Sequence, residues 1–106
     1  MDDRKFGDIA TEKLFENDRV RIWEMRLQPG GKSDLHEHEH DYVMIQISGD
    51  RMGADMEPDS AHHAEVGRIE VDISPGTVFF APKGGKETAI NVGTEPWHEI
   101  IVELLD

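Results

Sequence analysis

Three histidines alternate with other residues in the segment 34–42, at positions His36, His38 and His40. In an extended strand, residues two apart point to the same face of the sheet. The three imidazoles would therefore share one face, which Tyr42 continues. Neutral imidazole nitrogens bind divalent metal ions, and nearby carboxylates offset the charge of the ion. The pattern predicts a metal site, and its alternative is a solvated, charged edge strand whose histidines bind nothing.

The composition describes one acidic domain. A chain of 106 residues has room for one hydrophobic core, so we treat residues 1–106 as a single domain. Its formal charge of −12 repels phosphate backbones, and we expect no nucleic-acid partner. The absence of cysteine excludes disulfides and thiolate metal sites. No apolar run has membrane-spanning length and no charged-then-apolar leader is present, so we expect no membrane partner and a cytoplasmic location.

Short strands separated by glycine and proline turns dominate the pattern. Residues 68–73 alternate between apolar and polar, which is typical of a strand with one wet face. Residues 42–47 and 77–81 are apolar on both faces, which is typical of strands buried in a sandwich. No segment has a helical period. The predicted fold class is all-β, a sandwich or a barrel.

The same pattern assigns the remaining segments and the core. Residues 1–13 are polar without a period and should form an N-terminal arm. Residues 50–67, which contain His62 and His63, should form a long hairpin loop or a poorly ordered strand pair. These adjacent histidines would face opposite ways on a strand, so we expect neither to join the metal site. The core is expected to rest on five buried apolar side chains: Val43, Ile45, Ile47, Val78 and Phe80.

A second strand must supply ligands, because one strand cannot surround an ion. Residues 86–91 form the candidate strand, on which Glu87, Ala89 and Asn91 share a face. Glu87 offers a hard oxygen ligand, and Asn91 could orient a ligand by a hydrogen bond. Taken alone, Glu87 would be interpreted as a surface carboxylate.

The spacing around the histidines resembles the first motif of the cupin superfamily. Gly30 is followed after five residues by His36, then after one by His38. Tyr42 follows after three further residues and Gly49 after six. Motif one therefore spans residues 30–49.

Residues 76–91 resemble the second cupin motif, so the two motifs together cover residues 30–91. The residues at the intervals of motif two are Gly76, Pro82, Gly84, Glu87 and Asn91. More loosely, residues 16–25 and the step 41–43 are similar to small single-domain cupins associated with β-alanine degradation.

The cupin resemblance implies a single-domain jelly-roll β-barrel with a metal ion in its mouth. Cupins use two histidines and a glutamate of motif one, and a histidine of motif two, as metal ligands. His36 and His38 match the two histidines of motif one. Tyr42 stands at the glutamate position and Glu87 at the last histidine position, so this chain departs from the usual ligand set.

Two imidazoles and one carboxylate still make a metal site. His36, His38 and Glu87 would leave coordination positions open for substrate and for dioxygen or water, as in non-haem iron oxygenases. We expect a divalent ion, with Fe(II) favoured and Zn, Mn or Ni as further candidates. His40, on the same predicted face, would be a fourth ligand. Tyr42 is the candidate catalytic residue, as a hydrogen-bond donor to substrate or as an acid or base.

These residues favour a metal-dependent enzyme that acts on a small oxygenated organic compound, by dioxygenation, isomerisation or lyase chemistry. The alternative is a non-catalytic cupin that binds a small ligand and has a lost or structural metal site. The expected partners are a small-molecule substrate and a second copy of the chain. A homodimer is expected because an isolated barrel of this size exposes apolar strand faces and edges. We expect Trp23 to lie near the dimer contact.

Overall fold

Nine β-strands make up the structure, a computed structural model that describes residues 3–61 and 67–105. Within those residues no helix is present, and so none that is long and apolar enough to cross a membrane. The strands are β1 (Glu12–Glu16), β2 (Val20–Leu27), β3 (His36–Glu37), β4 (Tyr42–Ser48), β5 (Arg51–Met56), β6 (Arg68–Asp72), β7 (Val78–Ala81), β8 (Lys86–Asn91) and β9 (Trp97–Leu104). The predicted all-β class is confirmed.

The strands form two antiparallel sheets. The five-stranded sheet has the order β1-β2-β9-β4-β7, and the four-stranded sheet has the order β3-β8-β5-β6. Met25 and Trp97 of the first sheet pack with Ala89 of the second and with Ile73. A second buried cluster joins Ile9, from the segment before β1, to side chains of β4 and β9. The core therefore lies between the two sheets, and the N-terminal segment covers part of it.

The predicted core is wrong for β4 and β7, because the opposite side of each strand faces inward. On β4 the buried side chains are Tyr42 and Gln46, so the alternate positions point to the outer face. On β7, Val78 is 57% exposed and Phe80 is 62% exposed. The five residues expected inside but found half-buried or exposed are Val43, Ile45, Ile47, Val78 and Phe80. Because the run is apolar on both faces, its pattern does not identify the inner one.

The predicted continuous strand through the histidines is also wrong. β3 ends at Glu37 in the four-stranded sheet, whereas β4 begins at Tyr42 in the five-stranded sheet. The chain bends at His40 as it crosses between the sheets. The two-residue alternation that starts at His36 is therefore interrupted before Tyr42.

Residues 50–67 are not a loop throughout. β5 occupies Arg51–Met56 and pairs with β6 on one side and β8 on the other. Its sequence contains Gly53 and few strand-forming residues, so pairing with both neighbours overrides the weak local preference. The expectation for His62 and His63 lies outside the described residues.

Asn91 stabilises a turn and does not orient a metal ligand. Its side-chain nitrogen donates to the carbonyl oxygens of Leu27 and Glu95, at 3.0 and 2.9 Å. Its side-chain oxygen accepts a hydrogen bond from the Gly93 N–H at 2.9 Å. The residue is 1% exposed, so these three bonds replace its contacts with water. Asn91 therefore ties the β8–β9 turn to the end of β2.

We expect Asn91→Ala to lower the free energy of unfolding by about 2–4 kcal/mol, because it leaves buried backbone groups without partners. Urea denaturation followed by circular dichroism measures this loss. The matched control is Asn17→Ala, since Asn17 makes two hydrogen bonds in an exposed turn and its loss should cost about 1 kcal/mol or less. Equal losses in the two variants would contradict the structural role of Asn91.

Candidate metal centre

Three side chains that can bind a metal ion meet between the sheets: His36, His38 and Glu87. One ligand atom from each lies within 4.8 Å of the others. His36 and His38 are 2% and 3% exposed, and Glu87 is 8% exposed. Burying a carboxylate costs free energy unless cations or hydrogen-bond donors compensate it. The structure thus brings three of the predicted ligands together, and this donor set fits a divalent ion.

Strand pairing fixes where these residues lie. His36 on β3 is directly opposite Glu87 on β8 in the antiparallel register, so their side chains share a face. The His38 N–H donates to the Gly85 carbonyl, and the His38 carbonyl accepts from the Gly84 N–H, both at 2.8 Å. Gly84 has a φ of 108°, and a Cβ there would lie 2.7 Å from the Cβ of Ala61. The motif-two glycine is therefore needed to hold His38 in place.

A backbone contact sets which nitrogen of His36 is free to bind. His36 Nδ1 lies 2.9 Å from the carbonyl oxygen of Asp34, to which a protonated Nδ1 donates. This arrangement leaves the lone pair on Nε2. A histidine that binds a metal ion usually donates its other ring N–H to such a partner, which fixes the orientation of the ring.

Tyr42 lies against two of the three side chains of the cluster, Glu87 and His38. Its hydroxyl donates to Glu87 Oε1 at 3.3 Å, and its ring stacks on His38 with centroids 3.8 Å apart. Burial, and then the negative charge of Glu87, raise the pKa of Tyr42 well above its usual range. The phenol is therefore neutral at physiological pH and acts as a hydrogen-bond donor. Of the predicted roles for Tyr42, donation fits the site and action as a base does not.

His40 does not join the cluster. It lines a surface crevice of about 430 Å³ together with Arg19, Asp41 and Lys83. The chain bends at His40 between β3 and β4, and His40 is not among the side chains whose ligand atoms lie within 4.8 Å of one another. The role of His40 as a fourth ligand therefore stays a prediction.

The sequence prediction missed the buried carboxyl group of Glu99 on β9. Gln46 donates to Glu99 Oε2 at 2.6 Å, and its own oxygen accepts from Trp97 Nε1 at 2.7 Å. The Trp97 N–H thus orients the Gln46 amide so that its NH₂ group faces Glu99. Glu99 lines a cavity of about 40 Å³ that Glu87 also lines, with room for little more than a water molecule. The signal in the sequence is the alternation of Glu99 with outward-facing apolar residues on β9.

Burial raises the pKa of the Glu99 carboxyl to about 8, and the charge of Glu87 acts in the same direction. The hydrogen bond from Gln46 opposes this shift. Glu99 is therefore a carboxylic acid that stays largely protonated near neutral pH. It places a proton on the wall of the cavity next to the three candidate ligands.

Several solved structures resemble the fold described above. No protein-family model matches the chain, and no curated protein matches it in sequence. A cupin domain from Bordetella pertussis Tohama I has a TM-score of 0.71 at 20% identity, covering 92% of this chain and 98% of that one. An RmlC-like cupin family protein with a double-stranded β-helix fold, from Methanocaldococcus jannaschii, has a TM-score of 0.69 at 19% identity, covering 95% and 87%. A DMSP lyase from Ruegeria pomeroyi DSS-3 has a TM-score of 0.61 at 17% identity, covering 85% of this chain and 40% of that one.

These similarities show that the chain has the cupin fold. The prediction from the two spaced motifs is confirmed at that level, with Tyr42 and Glu87 as its departures from the usual ligand pattern. The narrower resemblance to cupins of β-alanine degradation stays a prediction.

The pKa of Glu99 predicts how stability depends on pH. The group has a pKa near 4.5 when unfolded and about 8 when folded, so the unfolded chain loses this proton first as pH rises. Its contribution to the free energy of unfolding should therefore fall between pH 5 and pH 8. In chelator-treated protein, Glu99→Gln removes this contribution, so the variant should gain stability relative to the wild type over that interval. Urea denaturation at a series of pH values measures the difference.

Glu103 on the same strand supplies the control. Its carboxylate accepts from Trp23 Nε1 at 2.6 Å and pairs with Arg21, so Glu103→Gln should destabilise the protein at pH 8. If the difference in the free energy of unfolding between wild type and Glu99→Gln stayed constant from pH 5 to pH 8, the account of Glu99 would be contradicted.

Proposed function

We propose that this chain is a metal-dependent enzyme that acts on a small oxygenated organic compound. The observation that carries the proposal is the convergence of His36, His38 and Glu87 in a buried cluster with ligand atoms within 4.8 Å. Two imidazoles and one carboxylate suit Fe(II) best, and Mn, Ni and Zn also accept this set. The same set supports dioxygenation, isomerisation and lyase chemistry, and a DMSP lyase shares the fold.

The protein groups have separate roles in this proposal. A bound ion would supply Lewis acidity toward substrate oxygens. The Asp34 carbonyl orients His36, and stacking on Tyr42 restrains the ring of His38. The Tyr42 hydroxyl, a neutral donor, can exchange its hydrogen bond to Glu87 for one to a substrate oxygen. Burial of the whole cluster limits the access of water.

A binding protein without catalysis is the second candidate. Glu87 Oε1 lies 3.3 Å from the Tyr42 hydroxyl and 3.6 Å from His38 Nε2, so neighbours already contact this oxygen without any ion. This arrangement would also result if Tyr42 had replaced a ligand during loss of a metal site. Stoichiometric binding of a redox-active metal favours the enzyme, and failure to bind any divalent metal favours the binding protein.

The metal affinity of alanine variants tests whether the three-residue cluster, and not His40, binds the ion. His36→Ala, His38→Ala and Glu87→Ala should each lower metal affinity by more than about 100-fold, since even changes to residues behind the ligands commonly cost 10- to 100-fold. His40→Ala should leave affinity unchanged, because His40 lines a different crevice. Calorimetric titration with Co²⁺, with circular dichroism to check folding, measures both effects. Full affinity in Glu87→Ala, or a large loss in His40→Ala, would contradict the assignment.

We also propose that two copies of the chain associate through the outer face of the five-stranded sheet. One apolar residue from every strand lies in a single cross-strand row on this face: Phe15, Ile22, Val102, Val43 and Phe80. The next row adds Ile100, Ile45 and Val78, and it continues to Glu24, which pairs with Arg26, and Glu12 at the far edge.

The outer face of the four-stranded sheet carries ion pairs instead of an apolar row. There Arg51 pairs with Asp72, and Arg68 pairs with Asp55 at 2.6 Å. A chain with a formal charge of −12 repels its own copies unless they meet where acidic groups are sparse. The apolar rows provide such a face. Trp23 lies with the inner cluster around Tyr42 and Ile101, so the expectation that it lies near the contact is not supported.

Sedimentation at micromolar concentration tests this association. The wild-type chain should sediment as a dimer, and Val78→Lys should sediment as a monomer, because it places a charge in the apolar face. Thr88→Lys, on the outer face of the four-stranded sheet beside Asp55, should remain a dimer. A wild-type monomer, or an equal effect of both variants, would contradict the proposed face.

A further inference from the structure

An apolar chamber adjoins the candidate metal centre. It has a volume of about 350 Å³ and lies between strands β4 and β7 of one sheet and β5 and β6 of the other. Its apolar wall includes Met44, Met52, Met56, Ile69, Val71 and Phe79. The alternation on β5 explains part of this wall, since its two methionines and Ala54 all point inward.

Polarity in the chamber is confined to one end. Among the described residues that line it, the polar side chains are Glu87, a member of the metal cluster, and Tyr42, which donates a hydrogen bond to it. No lysine, arginine or histidine of the described chain lines it. A ligand in the chamber therefore meets hydrogen-bonding and charged groups at one end and hydrocarbon and thioether groups along the rest.

The inner cavity sets the depth that a ligand can reach. This cavity, which Glu99 lines, holds only about 40 Å³, so an organic molecule does not fit there. The 350 Å³ chamber is large enough for one and shares Tyr42 and Glu87 with the inner cavity. The polar group of a ligand must then lie at the junction of the two spaces, with the remainder in the chamber.

We propose that the substrate is a small amphipathic compound with a single metal-chelating oxygen group and an apolar body that occupies this chamber. The inference rests on the proposed metal-dependent function and adds its substrate class. A second charged group, such as a phosphate or a distal carboxylate, would lose its water and find no counter-charge on the chamber wall. The three methionines are flexible and polarizable, so the chamber accepts more than one shape of apolar body.

Hydroxamates provide suitable probes, because they chelate divalent metals through two oxygens and differ in the attached group. The experiment compares acetohydroxamate with benzohydroxamate on Co²⁺-loaded protein, by calorimetry and by the visible spectrum of Co²⁺. We expect benzohydroxamate to bind at least tenfold more tightly. Phosphonoacetohydroxamate, which adds a second anionic group, should bind more weakly than acetohydroxamate.

Two chamber variants show whether the preference arises in the chamber. Val71→Thr keeps the size of the side chain and adds a hydroxyl, and Met52→Gln adds an amide. Each should reduce the preference for benzohydroxamate over acetohydroxamate several-fold, because a polar group on the wall weakens binding of the apolar ring. Val20→Thr is the matched control, since Val20 lies on β2 away from the chamber and should keep the full preference.

The outcomes separate this inference from the proposed function. If Co²⁺ does not bind through the three-residue cluster, both are overturned. If Co²⁺ binds there but the two hydroxamates bind equally, or the preference survives in both chamber variants, only the substrate class is overturned. Tighter binding of phosphonoacetohydroxamate would also overturn the substrate class.

Discussion

The burial of the Glu87 carboxylate beside two imidazoles and a phenol is the interaction on which the rest of the structure depends. Glu87 is 8% exposed, so its charge needs close compensation from the protein or from a cation. His38 and Tyr42 both contact its Oε1, and His36 is opposite it in the sheet. Neutral hydrogen-bond donors compensate only part of the charge of the Glu87 carboxylate. A divalent ion would compensate the rest.

The two facing sheets make this burial possible because each contributes side chains to the space between them. The four-stranded sheet contributes Glu87 and His36 from paired strands, and the five-stranded sheet contributes Tyr42. The chain crosses from one sheet to the other between residues 38 and 42, and that crossing closes the cluster. Polar groups are concentrated around this point, an apolar chamber adjoins it, and Glu99 lines a small cavity next to it. In the proposed function, this arrangement would keep the metal ion, the substrate body and the proton of Glu99 in separate places.

Much of this could be predicted because the spaced glycines and ligands carry strong constraints. Gly84 is needed for the backbone pairing of His38, and the register of β3 and β8 makes His36 and Glu87 neighbours. The errors in the sequence prediction have a common cause, because strand alternation is a local signal. It does not show that the strand breaks before His40, nor which face of an all-apolar run is inside. Glu99 was missed because its raised pKa results from burial between the two sheets, which a local sequence pattern does not show.

X-ray absorption spectroscopy of Co²⁺-loaded protein tests the central claim most directly, because scattering from imidazole rings allows the histidine ligands to be counted. The comparison is between the wild type and Glu87→His. The account predicts two imidazoles on the ion in the wild type and three in the variant, since residue 87 contributes a ligand in both. The same number of imidazoles in the two proteins, or none in the wild type, would contradict it.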